Sequence, residues 1–401
     1  MRFASSVVEE ASAERAVQAI LAPIDATLTP GMVDLALLFV TGHFEKELPS
    51  ILDRVTSAFS TAVLIGCTAE GTIGVQKELE RVPSMSLLVA SLPDVRIRPF
   101  HIRQNAVEHA QTAADWERIV GASPESRPVF IVLADPFSLD VHGFIDRINQ
   151  VYPRAPLVGG VASAARQPRG NGLFLNGEVL REGAVGVALS GRLTVDTVVS
   201  QGCRPIGRSF VITKAERNVI RELGGKPALE QLQEVLTKLT PEDDRLARQS
   251  LLIGRAIDEY KGAFGRGDFL IHGIVGADRS SGSIGIAGLA KTGATVQFHV
   301  RDADSADEDL RAMLKPHAGT DVRGAMLFGC NGRGMHMWPT AGHDAGVVRE
   351  LIGDVPLGGF FCGGEFGPVG GRNFVHGFTA SIALFREPRG PQTGNDQSSE
   401  G

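Results

Sequence analysis

Short apolar runs alternate with amphipathic stretches along much of this chain. Residues 35–40 form an apolar run without polar alternation, which predicts a strand buried on both faces. Apolar residues in 48–59 recur at helical spacing, and 62–65 form a second short apolar run. Residues 85–92 predict a further strand. This segment therefore predicts a unit of strand, helix, strand and strand, written βαββ.

The same order of elements returns twice. In the second copy, residues 157–160 match 64–67, reading LVGG against LIGC. The third copy is predicted over 324–385. The expected fold class is α/β, with two lobes of mixed β-sheets flanked by helices and built from repeated βαββ units. We expect an N-terminal domain over 1–223, a C-terminal domain over 224–386 and a disordered tail over 387–401, with the first two copies near 33–92 and 128–190.

Glycine-rich loops follow the predicted strands and carry most of the candidate chemistry. Strand–helix–strand units almost always form right-handed crossovers, and ligands in such sheets bind beyond the carboxyl ends of the strands. The loops after these strands should therefore meet at one edge of the sheets. Thiol, amide, guanidinium and carboxylate groups set among glycines suit a small polar ligand, such as an amino acid or organic acid. The candidate ligand-binding residues are Cys67, Thr68, Gly160, Ser163, Cys330, Asn331, Arg333, Gly334, Gly364, Glu365 and His376.

Several of these residues have more than one interpretation. Cys330 either lines a pocket or acts as a nucleophile with a histidine, His336 or His376, as its base. Arg333 either clamps a ligand carboxylate or pairs with Glu365 as a structural bridge. Glu365 needs a partner if it is buried, which a ligand amine or Arg333 would supply. His376 is a hydrogen-bonded core residue, a ligand contact or a haem ligand.

Composition and missing motifs narrow the function. The chain has no Walker A loop, GxSxG elbow or HExxH motif, and its four cysteines form no CxxC pair, so no metal site is predicted. A net charge of −6 without a Lys/Arg cluster argues against a nucleic-acid partner or an anionic membrane surface. No apolar run approaches the roughly 20 residues that span a bilayer. With no signal peptide, we expect a cytoplasmic protein.

At these glycine loops the chain resembles the FIST family, which pairs an N-terminal and a C-terminal FIST domain. The N-terminal resemblance is carried by 64–71, LIGCTAEG, and by 156–160, PLVGG, and the whole resemblance covers roughly 30–386. The C-terminal motif is carried by Cys330, Gly332, Arg333, Gly334, Pro356, Gly359, Gly364, Glu365, Pro368, His376 and Thr379.

The resemblance implies a sensory protein that binds a small ligand and acts in intracellular signalling. Because no output domain is recognisable in the chain, a signalling partner in trans is expected. No catalytic residue and no cofactor are predicted. Because some members of the family bind haem, the resemblance leaves haem as an alternative cofactor. The alternatives are a cysteine-dependent hydrolase or transferase that uses Cys330 or Cys67, a haem-based gas sensor, and a protein-interaction adaptor.

Overall fold

The structure is a computed structural model that describes residues 1–388, apart from 29, 60–61, 263 and 266. Residues 389–401 of the predicted tail lie outside this range. The α/β class with mixed sheets flanked by helices is confirmed. The repeat is more extensive than four elements, since each copy contributes six strands, and we call each six-strand copy a module.

Chain order defines the elements. The strands of module 1 are β1 (Arg2–Glu9), β2 (Leu35–Thr41), β3 (Val63–Ala69), β4 (Gly71–Gly74), β5 (Lys77–Glu80) and β6 (Ser84–Ser91). Those of module 2 are β7 (Val95–Ile102), β8 (Val129–Ala134), β9 (Leu157–Val161), β10 (Leu173–Leu175), β11 (Glu178–Leu180) and β12 (Ala184–Gly191).

Module 3 is interrupted by an insertion. It begins with β13 (Thr194–Gln201). The inserted strands are β14 (Cys203–Glu216), β15 (Val219–Leu223), β16 (Lys226–Pro227), β17 (Leu251–Ala256), β18 (Phe269–Asp278), β19 (Ser283–Ile286) and β20 (Thr295–Arg301). Module 3 then continues with β21 (Gly324–Cys330), β22 (Leu357–Cys362), β23 (Glu365–Val369), β24 (Arg372–His376) and β25 (Thr379–Arg386). The boundary predicted at 223/224 lies in the turn between two paired strands of the insertion, β15 and β16.

The described residues also include nine α-helices, which lie between the strands. They are α1 (Ala13–Asp25), α2 (Leu48–Ala58), α3 (Gln104–His109), α4 (Ala113–Val120), α5 (Val141–Val151), α6 (Ala228–Leu236), α7 (Pro241–Gln249), α8 (Ala303–Leu314) and α9 (His343–Ile352). The buried side chains of α2 and α5 repeat at helical spacing, as the sequence predicts. No described helix is long and apolar enough to cross a bilayer.

Each module builds one six-stranded sheet, but no module completes its own. In module 1, β2 and β3 pair in parallel and β6 pairs antiparallel with β2, and the same pattern holds in the other two modules. The outer hairpin of each sheet comes from another module. Hairpin β10–β11 extends the first sheet, β23–β24 extends the second, and β4–β5 extends the third. The three modules are therefore linked in a closed ring.

The inner faces of the three sheets share one apolar core. Phe39 from the first sheet stacks on Phe360 from the third, with ring centroids 4.8 Å apart, and Phe328 meets Phe360 edge-on at 5.8 Å. Leu133 from the second sheet belongs to the same buried cluster. The helices cover the outer faces of the sheets. A fourth, seven-stranded sheet, β14-β20-β17-β18-β19-β15-β16, forms from the insertion.

One glycine occupies the same place in all three modules. A Cβ added to Gly66, Gly159 or Gly359 would overlap the carbonyl oxygen of the neighbouring strand, at Leu38, Val132 and Leu327 respectively. Close approach of two backbones is a reason for glycine inside a strand. These glycines align the three copies, so Glu70, Ser163 and Gly363 occupy equivalent positions at the ends of β3, β9 and β22.

Candidate functional site

A cavity of about 510 Å³ lies where the loops of the three modules meet. Its wall includes the ends of β3 and β9, the loops after β8, β21 and β22, and the end of β20 from the insertion. The lining residues are Glu70, Arg81, Pro136, Val161, Ala162, Ser163, Ala165, Arg166, Arg301, Asn331, Gly332, His336, Gly363 and Phe378. The structure thus brings the predicted glycine loops together at one edge.

Ser163 joins the three modules at this cavity. Its hydroxyl donates to the carbonyl of Phe361 in module 3 at 2.5 Å and accepts from the amide of Glu70 in module 1 at 3.0 Å. Its own amide donates to the carbonyl of Thr68 at 3.3 Å. Ser163 itself belongs to module 2 and is 9% exposed. One small hydroxyl therefore fixes the relative position of three loops.

Arg301 presents an incompletely satisfied guanidinium to the cavity. Its Nη1 donates to the carbonyl of Gly332 at 3.1 Å, and its guanidinium carbon lies 4.8 Å from the centre of the Phe378 ring. Its Nε is buried and has no hydrogen-bond partner among the described residues. Phe378 has φ of 63°, a strained conformation for a bulky side chain, of the kind found at functional sites.

Asn331 carries an unpaired hydrogen-bond acceptor, whereas Arg301 carries an unpaired donor. Its backbone amide donates to the carbonyl of Cys362 at 3.0 Å, which fixes the loop. Its side-chain Oδ1 is buried and accepts no hydrogen bond from any described residue. Two residues of the lining therefore carry unpaired buried atoms, an acceptor on Asn331 and a donor on Arg301, and each has a desolvation cost while it lacks a partner.

Arg81 and His336 close one side of the cavity. Arg81 Nη2 lies 2.5 Å from His336 Nε2. Because a guanidinium only donates, this nitrogen accepts and the ring proton resides on Nδ1. Arg166, which is exposed, adds another cation to the lining. The cationic wall favours an anionic group on the ligand.

A buried acid lies two residues along the chain from Gly363 of the cavity lining. Glu365 is fully buried, and its Oε2 accepts from the amide and the hydroxyl of Thr379 at 3.2 and 2.8 Å. Burial raises the pKa of Glu365 to about 8 despite these hydrogen bonds. Its other oxygen, Oε1, is buried and has no hydrogen-bond partner among the described residues. Burial, together with the charge of Glu365, raises the pKa of Cys330 to about 12.

Arg333 has a partner that the sequence analysis did not identify. Its Nε and Nη2 bind Asp344 of α9 at 2.6 and 2.8 Å, in a pair that is almost entirely buried. Glu365, the expected structural partner, does not make this bond, and Arg333 Nη1 has no hydrogen-bond partner among the described residues. Although burial alone would raise the pKa of Asp344, the Arg333 guanidinium lowers it to about 2. Glu78 lies nearby, and burial, with the charge of Asp344, raises its pKa to about 8.

The other candidates lie around the cavity and do not line it. Cys67 is buried in the shared apolar core, and Thr68 Oγ1 accepts from the amide of Gly172 at 2.8 Å. Gly160 has no room for a Cβ because Cys362 Sγ lies against it. The carbonyl of Gly364 accepts from the amide of Val161 at 2.9 Å.

Two further candidates have local structural contacts. Gly334 has φ of 56°, and a Cβ there would overlap the Glu80 carboxylate, which accepts from the Met335 amide at 2.8 Å. His376 Nε2 bonds the Gly367 carbonyl at 2.9 Å, and burial lowers the pKa of this imidazole to about 4. Of the eleven sequence candidates, Ser163 and Asn331 contribute directly to the lining.

Sequence reasoning missed the cationic lining. Arg81 and Arg301 lie outside the glycine loops, and Arg301 comes from the inserted sheet, so no repeat pattern places it at the site. Phe378 is also absent from the sequence candidates. The neighbouring Gly377 does not indicate the positive φ of Phe378, because a positive φ at a phenylalanine has no sequence signature. Among the described residues, no three His, Cys, Asp or Glu side chains cluster as metal ligands would.

Replacing Glu365 by glutamine is expected to reduce the pH dependence of stability. The pKa of about 8 in the folded protein exceeds the roughly 4.3 of an unfolded glutamate, so the folded state retains a proton that the unfolded state releases. This contribution is complete below about pH 4 and is lost as the pH rises through 8, with a slope of up to about 1.4 kcal/mol per pH unit. Urea unfolding between pH 5 and 9 measures it. An unchanged slope in Glu365→Gln would show that the carboxyl titrates normally.

The family models match nearly the whole chain. The FIST N domain matches residues 34–226 and the FIST C domain matches residues 228–368. The chain is also similar to an uncharacterized protein of Mycobacterium tuberculosis, at 38% identity over 96% of this chain and 100% of that protein. An uncharacterized protein of Mycobacterium bovis is 39% identical over 88% of this chain and 90% of its own length.

Among solved structures, the chain is similar to the cyanuric acid hydrolase of A. caulinodans. The TM-score is 0.37 and the identity 9%, over 97% of this chain and 99% of that one. A second cyanuric acid hydrolase gives a TM-score of 0.35 at 8% identity. FIST domains are small-ligand sensory domains, which agrees with a polar cavity between their loops. On the two domain matches and the full-length relatives, this chain belongs to the FIST family.

Proposed function

We propose that the protein is a sensor that binds a zwitterionic small molecule, an amino acid or a close relative, in the cavity between the three modules. The observation that carries the proposal is the pair of unsatisfied groups in one cavity, the Asn331 Oδ1 acceptor and the Arg301 Nε donor. A ligand ammonium would donate to Asn331, and a ligand carboxylate would accept from Arg301. The cavity volume of about 510 Å³ is typical of small-molecule sites.

The surrounding charges support this orientation. Arginine binds carboxylates through two parallel hydrogen bonds, and Arg81 and Arg166 add to the positive potential beside Arg301. Glu70 lines the same cavity and would attract the ligand ammonium. A zwitterion satisfies both polarities at once, whereas a simple anion leaves the Asn331 oxygen without a donor.

The Cys330 thiol favours binding over catalysis. A nucleophilic cysteine needs a depressed pKa, and burial beside Glu365 raises the pKa of Cys330 to about 12. His376 is buried and does not line the cavity, so it is not placed to act as a base on a ligand there. The proposal therefore includes neither a covalent step nor a resident cofactor.

We also propose that occupancy is read by a separate protein. Two exposed apolar side chains adjoin lining residues: Phe137, which follows Pro136 and is 41% exposed, and Met335, which precedes His336 and is 60% exposed. Exposed apolar side chains next in sequence to lining residues suit a protein contact that depends on the loop conformation. Pull-down of purified signalling proteins with and without ligand would test this part separately.

A thermal-shift screen of amino acids, matched carboxylic acids and matched amines tests the ligand proposal. We expect only zwitterions to stabilise strongly, by about 2.7 kcal/mol at one hundred times the dissociation constant. Asn331→Ala and Arg301→Gln should each weaken binding by about 10- to 100-fold, since each loses a charge-assisted hydrogen bond. Arg349→Gln, on the exposed face of α9, is the control. Equal stabilisation of wild type and both cavity variants would refute the proposed site.

A further inference from the structure

A second cavity of about 570 Å³ lies on another part of the molecule. It is enclosed by α5 of module 2, by hairpin β23–β24 of module 3, and by β17 and β18 of the inserted sheet. It shares no lining residue with the first cavity. A site here would bridge the insertion and the ring of modules, and it does not rest on the proposed function.

The charges in this cavity are incompletely paired. Arg372 is held by Asp146, with Nη2 2.8 Å from Oδ1. Asp258 accepts the amide of Tyr260 at 3.0 Å. Arg255 and Lys291 also line the cavity, and neither forms an ion pair with a described carboxylate. Excess positive charge in a cleft with protein walls attracts small anions.

Two residues of the lining each carry a buried polar atom without a partner among the described residues, Nε of Arg255 and Nε2 of His272. His272 Nδ1 lies 3.2 Å from the carbonyl of Ala287, so Nδ1 carries the proton and Nε2 is an unused acceptor. His272 is kept neutral in this position, because burial and then the charge of Arg255 lower its pKa to about 4. His142 also faces His272 and acts in the same direction.

We propose that this second cavity is a binding site for a small oxyanion that also carries a hydrogen-bond donor. The anionic oxygens would bind Arg255 and Lys291, and a ligand hydroxyl would donate to His272 Nε2. A hydroxycarboxylate and a protonated phosphate both meet this description, since each combines anionic oxygens with a hydroxyl. Buried polar atoms of opposite character are satisfied together by such a ligand, and by neither a simple cation nor an apolar molecule.

Isothermal titration calorimetry of the full chain with glycolate and with inorganic phosphate at pH 7 tests the site. If only one probe binds, its identity shows whether the site takes a carboxylate or a phosphate. Arg255→Gln should weaken that binding by about tenfold or more, and Lys291→Gln, an exposed change that leaves the fold intact, by severalfold. His272→Phe removes the acceptor and should weaken a hydroxylated probe more than acetate. Arg301→Gln, a substitution in the first cavity, is the control for binding of the probes at that other site.

Hydrogen exchange identifies where the probe binds. We expect slower exchange in β18 and β24, which both contribute to the lining of the cavity, on addition of the bound probe. Protection confined to the loops of the first cavity would overturn the assignment. So would the absence of binding by both probes at about 10 mM, or unchanged affinity in both Arg255→Gln and Lys291→Gln.

Discussion

Replacing Gly359 by alanine is expected to destabilise the protein by more than about 4 kcal/mol or to abolish folding. The added Cβ would overlap the carbonyl oxygen of Leu327 on the adjacent strand, and neither backbone can move, because β21 and β22 are central strands of the third sheet. The soluble yield and the urea midpoint of the purified variant measure the effect. Gly66→Ala and Gly159→Ala should behave alike, because the same overlap occurs in the other modules.

Gly346→Ala is the matched control for this prediction. Gly346 lies within α9 of the same module, and a Cβ there would meet no atom within 4 Å. Alanine is the better helix former, so this substitution should stabilise the protein by about 0.5–1 kcal/mol. If Gly359→Ala were as stable as wild type, the close approach of β21 and β22 in the structure would be wrong.

Replacing Asp344 by alanine is expected to lower the free energy of unfolding by about 3–5 kcal/mol. The substitution leaves the Arg333 guanidinium, which is fully buried, without its bidentate partner. Glu78 is the nearby group that could respond, since it is held mostly neutral at pH 7 by burial and by the charge of Asp344. Ionisation of Glu78 in the variant would recover part of the lost free energy of unfolding. The double variant Asp344→Ala/Glu78→Gln should therefore lose more free energy of unfolding than the sum of the losses in the two single variants.

The comparison for this pair is an ion pair of the same chemistry on the surface. Asp354 accepts from Arg349 at 2.6 Å, the same distance as in the buried pair, but its side chain is 68% exposed. Asp354→Ala should cost about 0.2–1 kcal/mol. Equal losses at Asp344 and Asp354, measured by urea unfolding at pH 7, would mean that burial adds nothing to the Arg333 pair.

The repeated strands and helices are predictable from sequence because each carries a strong local pattern. Residues 35–40 and 48–59 match β2 and α2 to within a residue or two. The hairpins β4–β5 and β10–β11 were missed. Each is only three or four residues long per strand, and the sheet that it extends belongs to a different module, so its stability comes from contacts distant in sequence.

The site was predictable in outline and not in its chemistry. Glycine-rich loops after parallel strands indicate a shared edge, and Ser163 and Asn331 are found at the cavity. The partner of Arg333 was not predictable, because Asp344 lies in the first turn of an amphipathic helix, where an acidic residue is also explained by the helix dipole. Local patterns identify where loops end but not which side chains from other elements reach them.

The exchange of hairpins among the modules makes the two family domains interdependent. A chain cut near residue 227 would leave β9 without β23 on one side of the cut and β22 without β4 on the other. Both uncovered edges are short runs of buried residues, and unprotected edges of this kind invite intermolecular pairing. Neither half is therefore expected to fold independently. One FIST domain expressed alone, or fused to another protein without its partner domain, should aggregate.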